Sequence, residues 1–223
     1  MTSLLIASPR GATEAQLAAD ISSNNASFDP AIYASAGHLL ITIKATEGIG
    51  YTNPEWDQWA HEAHQHKLAV NHYHFAQLVD PIEEARHFWL TIRKRFKTGV
   101  DRVMIDIETG DQEHWPVFLE RFDTELHRLS GLEAIGYTFA AALSPALRLR
   151  SNLWMVAAWG TQRPGTARLT LPCGRLWGWQ YTGGQGSPSG GPVKAAGIPG
   201  EIDLTVLRNW TVRNLQRDRT RYF

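Results

Sequence analysis

Recurrence is the feature that most constrains this fold. Eight short runs rich in β-branched and apolar residues fall at 19–22, 39–45, 68–75, 102–108, 133–138, 154–158, 176–181 and 202–204. Runs of this length, bounded by polar or turn residues, read as buried strands, and helical periodicity fills several of the gaps. Asn53-Pro54 supplies an N-cap and a first-turn proline for a helix to about His66. Asp80-Pro81 does the same for the next helix, with Glu83 as a capping acid. Between Asp111 and Arg128, and just beyond, Phe118, Phe122, Glu125 and Leu129 recur at helical spacing. Strand alternating with helix predicts an α/β fold, and eight strands favour a TIM-type (β/α)8-like barrel over an open doubly wound sheet. After about residue 150 the intervals are too short for full helices, so the barrel is expected to be irregular. With 223 residues, 43% of them hydrophobic, one domain is expected.

Composition removes several functions. Lys and Arg balance Asp and Glu at 22 each, so no global field recruits nucleic acid. The arginines at 208, 213, 217, 219 and 221 make the tail locally basic, which reads as the solvated face of a terminal helix. Cys173 is the single cysteine and is expected to be a small buried hydrophobe. Leu4 to Ala7 is too short an apolar run for a signal peptide, and no stretch approaches the length of a membrane span. The sequence holds no Gly-x-Gly-x-x-Gly between strand and helix, no phosphate-loop Lys-Ser or Lys-Thr pair and no Gly-x-Ser-x-Gly elbow. His61, His64, His66, His72 and His74 crowd together, but without a His-Glu-x-x-His pattern zinc is disfavoured, and His74 reads as a cleft residue or a core histidine with a satisfied ring nitrogen. Residues 183–200, rich in Gly, Pro and Ser, are expected to form a long surface loop near the cleft.

Chemistry points to carboxylates. Val103-Met104-Ile105-Asp106-Ile107-Glu108 is an apolar run closed by two acids one residue apart, which on a strand share a face at roughly 6.6 to 7 Å between Cα atoms. Burying two like charges is costly unless they are paired or one is protonated, so the pair marks either a working site or a solvent-facing strand end. In a barrel the strand ends gather at one face. Asp20 ends the first candidate strand, Glu47 follows the second with Tyr51 just beyond, and Tyr73, His74 and Phe75 close the third. Asp106 and Glu108 close the fourth, Tyr137 the fifth, Trp159 the sixth, Gln180 and Tyr181 the seventh, and Asp203 lies on the eighth. Glycosidic-bond hydrolysis needs such an inventory: a protonated carboxyl for the leaving oxygen, a second carboxylate for the developing positive charge, and aromatic faces for the sugar rings.

Eight blocks in register carry a resemblance. Asp20-Ile21-Ser22, Ile43-Lys44-Ala45-Thr46-Glu47-Gly48, Tyr51-Thr52-Asn53-Pro54, Tyr73-His74-Phe75-Ala76, Asp106-Ile107-Glu108, Gly136-Tyr137-Thr138, Trp179-Gln180-Tyr181-Thr182 and Ile202-Asp203-Leu204 together resemble glycoside hydrolase family 25, the Chalaropsis-type muramidases, over about residues 18–210. The resemblance implies an irregular α/β barrel without cofactor or metal that cleaves the β-1,4 bond between N-acetylmuramic acid and N-acetylglucosamine. It implies Glu108 as general acid, with Asp20, Asp106 and Asp203 as supporting carboxylates. Asp106 is expected to raise the Glu108 pKa, and the partner across the sugar is expected to be Asp203 or Asp20, unless the substrate's own 2-acetamido group acts as nucleophile. Two departures stand out: an extension at residues 1–19 before the catalytic domain at 20–223, and Asn71-His72 before the Tyr-His-Phe block. The expected setting is a monomeric phage endolysin acting on peptidoglycan strands, held in the host cytoplasm until release, with no nucleic-acid partner or membrane insertion. The alternatives are a silent peptidoglycan-binding module and a hydrolase of another amino-sugar glycan such as chitin.

Overall fold

In the computed structural model, residues 11–159, 170–183, 188 and 190–223 are described. Along them run β1 (Leu17–Ile21), α1 (Pro30–Ser35), β2 (Leu40–Glu47), β3 (Tyr51–Thr52), α2 (Trp56–Gln65), β4 (Ala69–Phe75), α3 (Pro81–Ile92) and β5 (Arg102–Asp106). There follow α4 (Trp115–Ser130), β6 (Ile135–Phe139), β7 (Leu153–Ala157), β8 (Thr170–Leu171), β9 (Gly174–Thr182), β10 (Asp203–Leu207) and α5 (Asn209–Tyr222). Eight strands close a ring in the order β1-β2-β4-β5-β6-β7-β9-β10 and back to β1. Neighbours are parallel except at β10, which is antiparallel to both β9 and β1. The helices thin out earlier than about residue 150: a single 3-10 turn, Ala140–Ala142, separates β6 from β7.

Local chemistry sets the element ends. Asp29 and Asp80 cap α1 and α3 by accepting from Ile32 N (3.0 Å) and Ile82 N (2.9 Å), each with proline at the first position. Gly131, at φ 71°, ends α4 in the left-handed conformation. Asn53 does not cap α2 as expected. Its side chain donates to Lys44 O (2.7 Å) and accepts from Glu55 N (3.1 Å), so the helix starts at Trp56. β1 begins at Leu17, so residues 17–19, counted with the extension, belong to the barrel; residues 1–10 lie outside the described part. Cys173 is buried as expected, and burial pushes its thiol up to about 11.

Period-2 alternation divides the core into two shells. Ile41, Ile43, Val70, Ile105 and Trp154 face outward onto Phe88, Phe122 and the other helical residues, while Ala18, Leu40, Met104, Met155 and Leu207 fill the barrel. A buried polar cluster pins the lower end. Asp101 accepts from Val70 N (3.0 Å), Lys97 N (2.7 Å) and the Nε2 atoms of His64 (3.0 Å) and His72 (3.2 Å). Trp56 Nε1 donates to His72 Nδ1 (3.0 Å), which leaves the His72 proton on Nε2, facing Asp101. Burial alone would raise the Asp101 carboxyl, but its bonds to His64 and His72 hold it at about 2.

Removing this acceptor orphans several buried donors, so Asp101→Ala should lower the unfolding free energy by about 3–5 kcal/mol in urea titrations at neutral pH. The folded-state pKa is depressed, so the Asp101 contribution is full above the unfolded value near 3.8 and is lost as pH falls toward 2. Between pH 4 and 2 the wild type should therefore lose stability more steeply than the variant.

Candidate active site

Inward positions of the upper barrel collect the acids. Asp20 stands directly across the β1–β10 ladder from Asp203. β5 carries Asp106 at its last position, and Glu108 lies two residues beyond, exposed at the mouth. Three strands separate β5 from β10 in either direction around the ring, so Glu108 and Asp203 face each other across the mouth. Because β10 runs against its neighbours, Asp203 reaches this face from the start of its strand rather than the end.

Gln180 organises one wall. Its Oε1 accepts from Tyr137 Oη (2.8 Å) and Trp159 Nε1 (3.2 Å), which turns its amide nitrogen toward Asp20 Oδ2 (3.2 Å). Trp159 is 52% exposed at the rim. Its indole lies where a side chain on residue 183 would sit: a Cβ at Gly183 would come within 2.6 Å of the ring. Tyr73 and Tyr137 are buried beside the acids, where burial, and then the charges of Asp20 and Asp106, push both phenols up. Tyr51 sits on the β3 rim with its hydroxyl 2.8 Å from Ser23 Oγ.

Among the described residues Lys44 is the cation facing these acids, and the sequence reading gave it no role. Its Nζ lies 2.5 Å from Glu47 Oε2 and 4.6 Å from the centre of the Phe75 ring. Glu47 in turn accepts from Gln77 Nε2 (2.7 Å). A signal was available: Lys44 shares the inward register of Leu40 and Thr42 between apolar Ile43 and Ala45, a setting that demands acidic partners.

Asp20, Asp106, Glu108 and Asp203 are all shifted upward. Asp106 is raised well above the usual range by burial, then by Glu108 and Asp20, with Lys44 opposing; its Oδ1 has no hydrogen-bond partner among the described residues. Asp20 is raised likewise by burial, then by Asp203 and Glu108, against Gln180 and Lys44. Burial and then Glu108 push Asp203 up to about 6. Glu108 is raised by burial, with Lys44 opposing. The expected coupling of Asp106 and Glu108 is present, with Glu108 among the causes that raise the buried Asp106.

Two expected cleft residues face the other way. His74 is fully buried on the outer side of β4, its ring between Thr46 Oγ1 (2.8 Å) and Glu84 Oε2 (2.8 Å) and packed on Phe88 and Phe122. Tyr181 is also fully buried and outward, donating to Pro192 O (2.7 Å). Their neighbours Tyr73, Phe75 and Gln180 take the inward positions, and alternation forbids adjacent residues from sharing a face. The described part of the long loop is tied to the outside, where Gly197 O accepts from Asp29 N (2.7 Å); residues 184–187 and 189 lie outside the described part. Among the described residues no group of three or more His, Cys, Asp or Glu could hold a metal ion, and no helix is long and apolar enough to cross a membrane.

Comparison with known proteins gives the family and the fold. The family model for glycosyl hydrolases family 25 matches residues 19–189. An autolytic lysozyme of Clostridium acetobutylicum is 25% identical over 194 residues, covering 83% of this chain and 53% of the relative, so the chain spans about half that protein's length. In fold, the chain is similar to a bacterial lysozyme from Streptomyces coelicolor (TM-score 0.73, 18% identity, 92% of this chain and 97% of the other). It is also similar to a muramidase from Acremonium alcalophilum (TM-score 0.70, 20% identity, 92% and 99%).

Replacing Lys44 by Met removes the charge that opposes the upward shifts, so Glu108 should keep its proton to higher pH. The alkaline limb of any activity that uses Glu108 as proton donor should move upward in a kcat/KM–pH profile; an unmoved or lowered limb would remove Lys44 from the site.

Proposed function

Because the chain belongs to the glycosyl hydrolases family 25, we propose that it hydrolyses the β-1,4 bond between N-acetylmuramic acid and N-acetylglucosamine in bacterial peptidoglycan. The observation that supports this best is the placement of Glu108 and Asp203 on opposite strands of one barrel mouth. A glycan strand lying across the mouth is flanked by both. Protonated Glu108 donates to the glycosidic oxygen as the bond to the anomeric carbon breaks, and ionised Asp203 stabilises the positive charge that develops on the ring. Water then supplies hydroxide to the anomeric carbon, and its proton returns to Glu108. Burial and the neighbouring acids raise Asp20 and Asp106 well above the ordinary carboxylate range, which limits the negative charge they add beside Asp203. Trp159, Tyr51, Tyr137 and Phe75 offer ring faces or edges to the sugars, and Gln180 and Glu47 offer polar contacts. The place of action is the bacterial cell wall, and the setting is that of a monomeric phage endolysin released from the host cytoplasm.

Activity requires a proton on Glu108 while Asp203 is charged. The Asp203 value of about 6 includes repulsion from ionised Glu108, so the pair loses its last proton near pH 6, and activity should fall as pH rises through that value.

Purified peptidoglycan digested by the wild type, reduced with borohydride and analysed by mass spectrometry should yield reduced N-acetylmuramic acid ends. Glu108→Gln should lower the rate about 10²- to 10⁴-fold with the fold intact. Reduced N-acetylglucosamine ends would move the cut to the other bond, and retained binding with no new ends would mean a silent module.

A further inference from the structure

The end of the barrel opposite the cleft carries a concentrated cationic face on a protein whose formal charge is zero. α5 lies there: Arg219 Nε donates to Lys67 O, just before β4, and Asp218 pairs with Arg102 at the start of β5 (2.8 Å). We infer that α5 and the turns before β4 and β5 form a docking surface for a phosphate-bearing anionic polymer of the bacterial wall.

The surface has a pocket and a stripe. Lys67, Gln216, Arg219, Thr220 and Phe223 line an open cavity of about 400 Å³. Lys97 adds a charge beside it, its Nζ 3.9 Å from the centre of the Phe223 ring. On the adjoining face of α5, Arg213, Arg217 and Arg221 are exposed at i, i+4 and i+8, about 6 Å apart along the axis. Asp218, the acid of this helix, is already shared by Arg102 and Arg217. Among the described residues Lys67, Lys97, Arg213, Arg219 and Arg221 have no acidic partner within 4.0 Å.

A simpler account covers only part of this. Cations in the last turn of a helix complement its dipole, which accounts for Arg219 and Arg221. It does not account for Arg213 in the first half of the helix, for Lys67 and Lys97 on other segments, or for three like charges stacked at i, i+4 spacing, which oppose helix formation. A membrane fits less well, because Val212 and Leu215 of α5 are buried against the barrel, Trp210 is half-buried, and Tyr222, packed over Gly99, is the one large apolar side chain that this helix exposes. A wall polymer fits because, on the muramidase reading on which this partner rests, the cleft at the other end engages the glycan to which such polymers are attached. A neutral protein is then retained on the wall by one charged face while the opposite face works.

The test uses purified poly(glycerol phosphate), free of glycan, titrated against the full chain at low and moderate salt. The wild type should bind, with affinity falling as salt rises. Lys67→Glu combined with Arg221→Glu should weaken binding at least about tenfold, while Arg148→Glu, an exposed arginine elsewhere, should leave it unchanged. The double variant should keep wild-type melting and wild-type turnover of short soluble glycan fragments. No binding at low salt, an equal loss in Arg148→Glu, or equal affinity for duplex DNA or anionic phospholipid vesicles would overturn the assignment. Failure of the muramidase reading would show separately, as absent turnover of the soluble fragments by the wild type.

Discussion

Closing the ring with β10 reversed between β9 and β1 decides where the rest of the molecule can work. A parallel eighth strand would need a crossover to the lower end and would bring Asp203 in at the bottom of the barrel. The antiparallel one needs only a connection along the upper end, which the segment before β10 provides: Ile202 N bonds Val193 O, and Gly197 O holds the start of α1. Asp203 thereby enters opposite Asp20 and across from Glu108. The same reversal sends the chain out at the lower end, so α5 and its arginines emerge on the face remote from the acids.

Within the mouth, depth and charge set the order in which protons leave. Four acids share a low-dielectric space with one lysine, so a fully ionised set is untenable and the deepest members stay neutral. Lys44 is held in place from outside the cleft. Glu84, fully buried behind β4, accepts from His74 Nε2 (2.8 Å), Gln77 N (3.0 Å) and Val79 N (2.8 Å). That fixes the loop whose Gln77 side chain holds Glu47, and Glu47 holds Lys44. His74 therefore supports the site from the outer shell without touching a ligand.

Most of the barrel was legible in the sequence because buried strands are short, apolar and bounded by turn residues. The loss of helices was only partly legible, since the interval at residues 140–152 is long enough for a helix and holds a single 3-10 turn. The direction of β10 was not, because a period-2 pattern is the same read either way. Side-chain facing was legible in principle but was misassigned at Tyr181, and at His74 it was left between the cleft and a core position with satisfied ring nitrogens, the second of which the fold adopts: grouping them with Tyr73, Phe75 and Gln180 ignored that neighbours on a strand point oppositely. Lys44 was quoted within a motif yet given no role, because its partners lie on other strands, and only folding shows one cation set against several acids.

The most direct test of this account is a titration of the Asp and Glu carboxyl carbons by ¹³C NMR, with Asp20, Asp106, Glu108 and Asp203 assigned through single Asn or Gln variants. The account predicts that Asp106 and Asp20 keep their protons well above the ordinary carboxylate range, and that Asp203 titrates near 6. Four independent titrations near pH 4 would contradict it, because acids that ionise freely could not be sharing a closed barrel mouth with a single lysine.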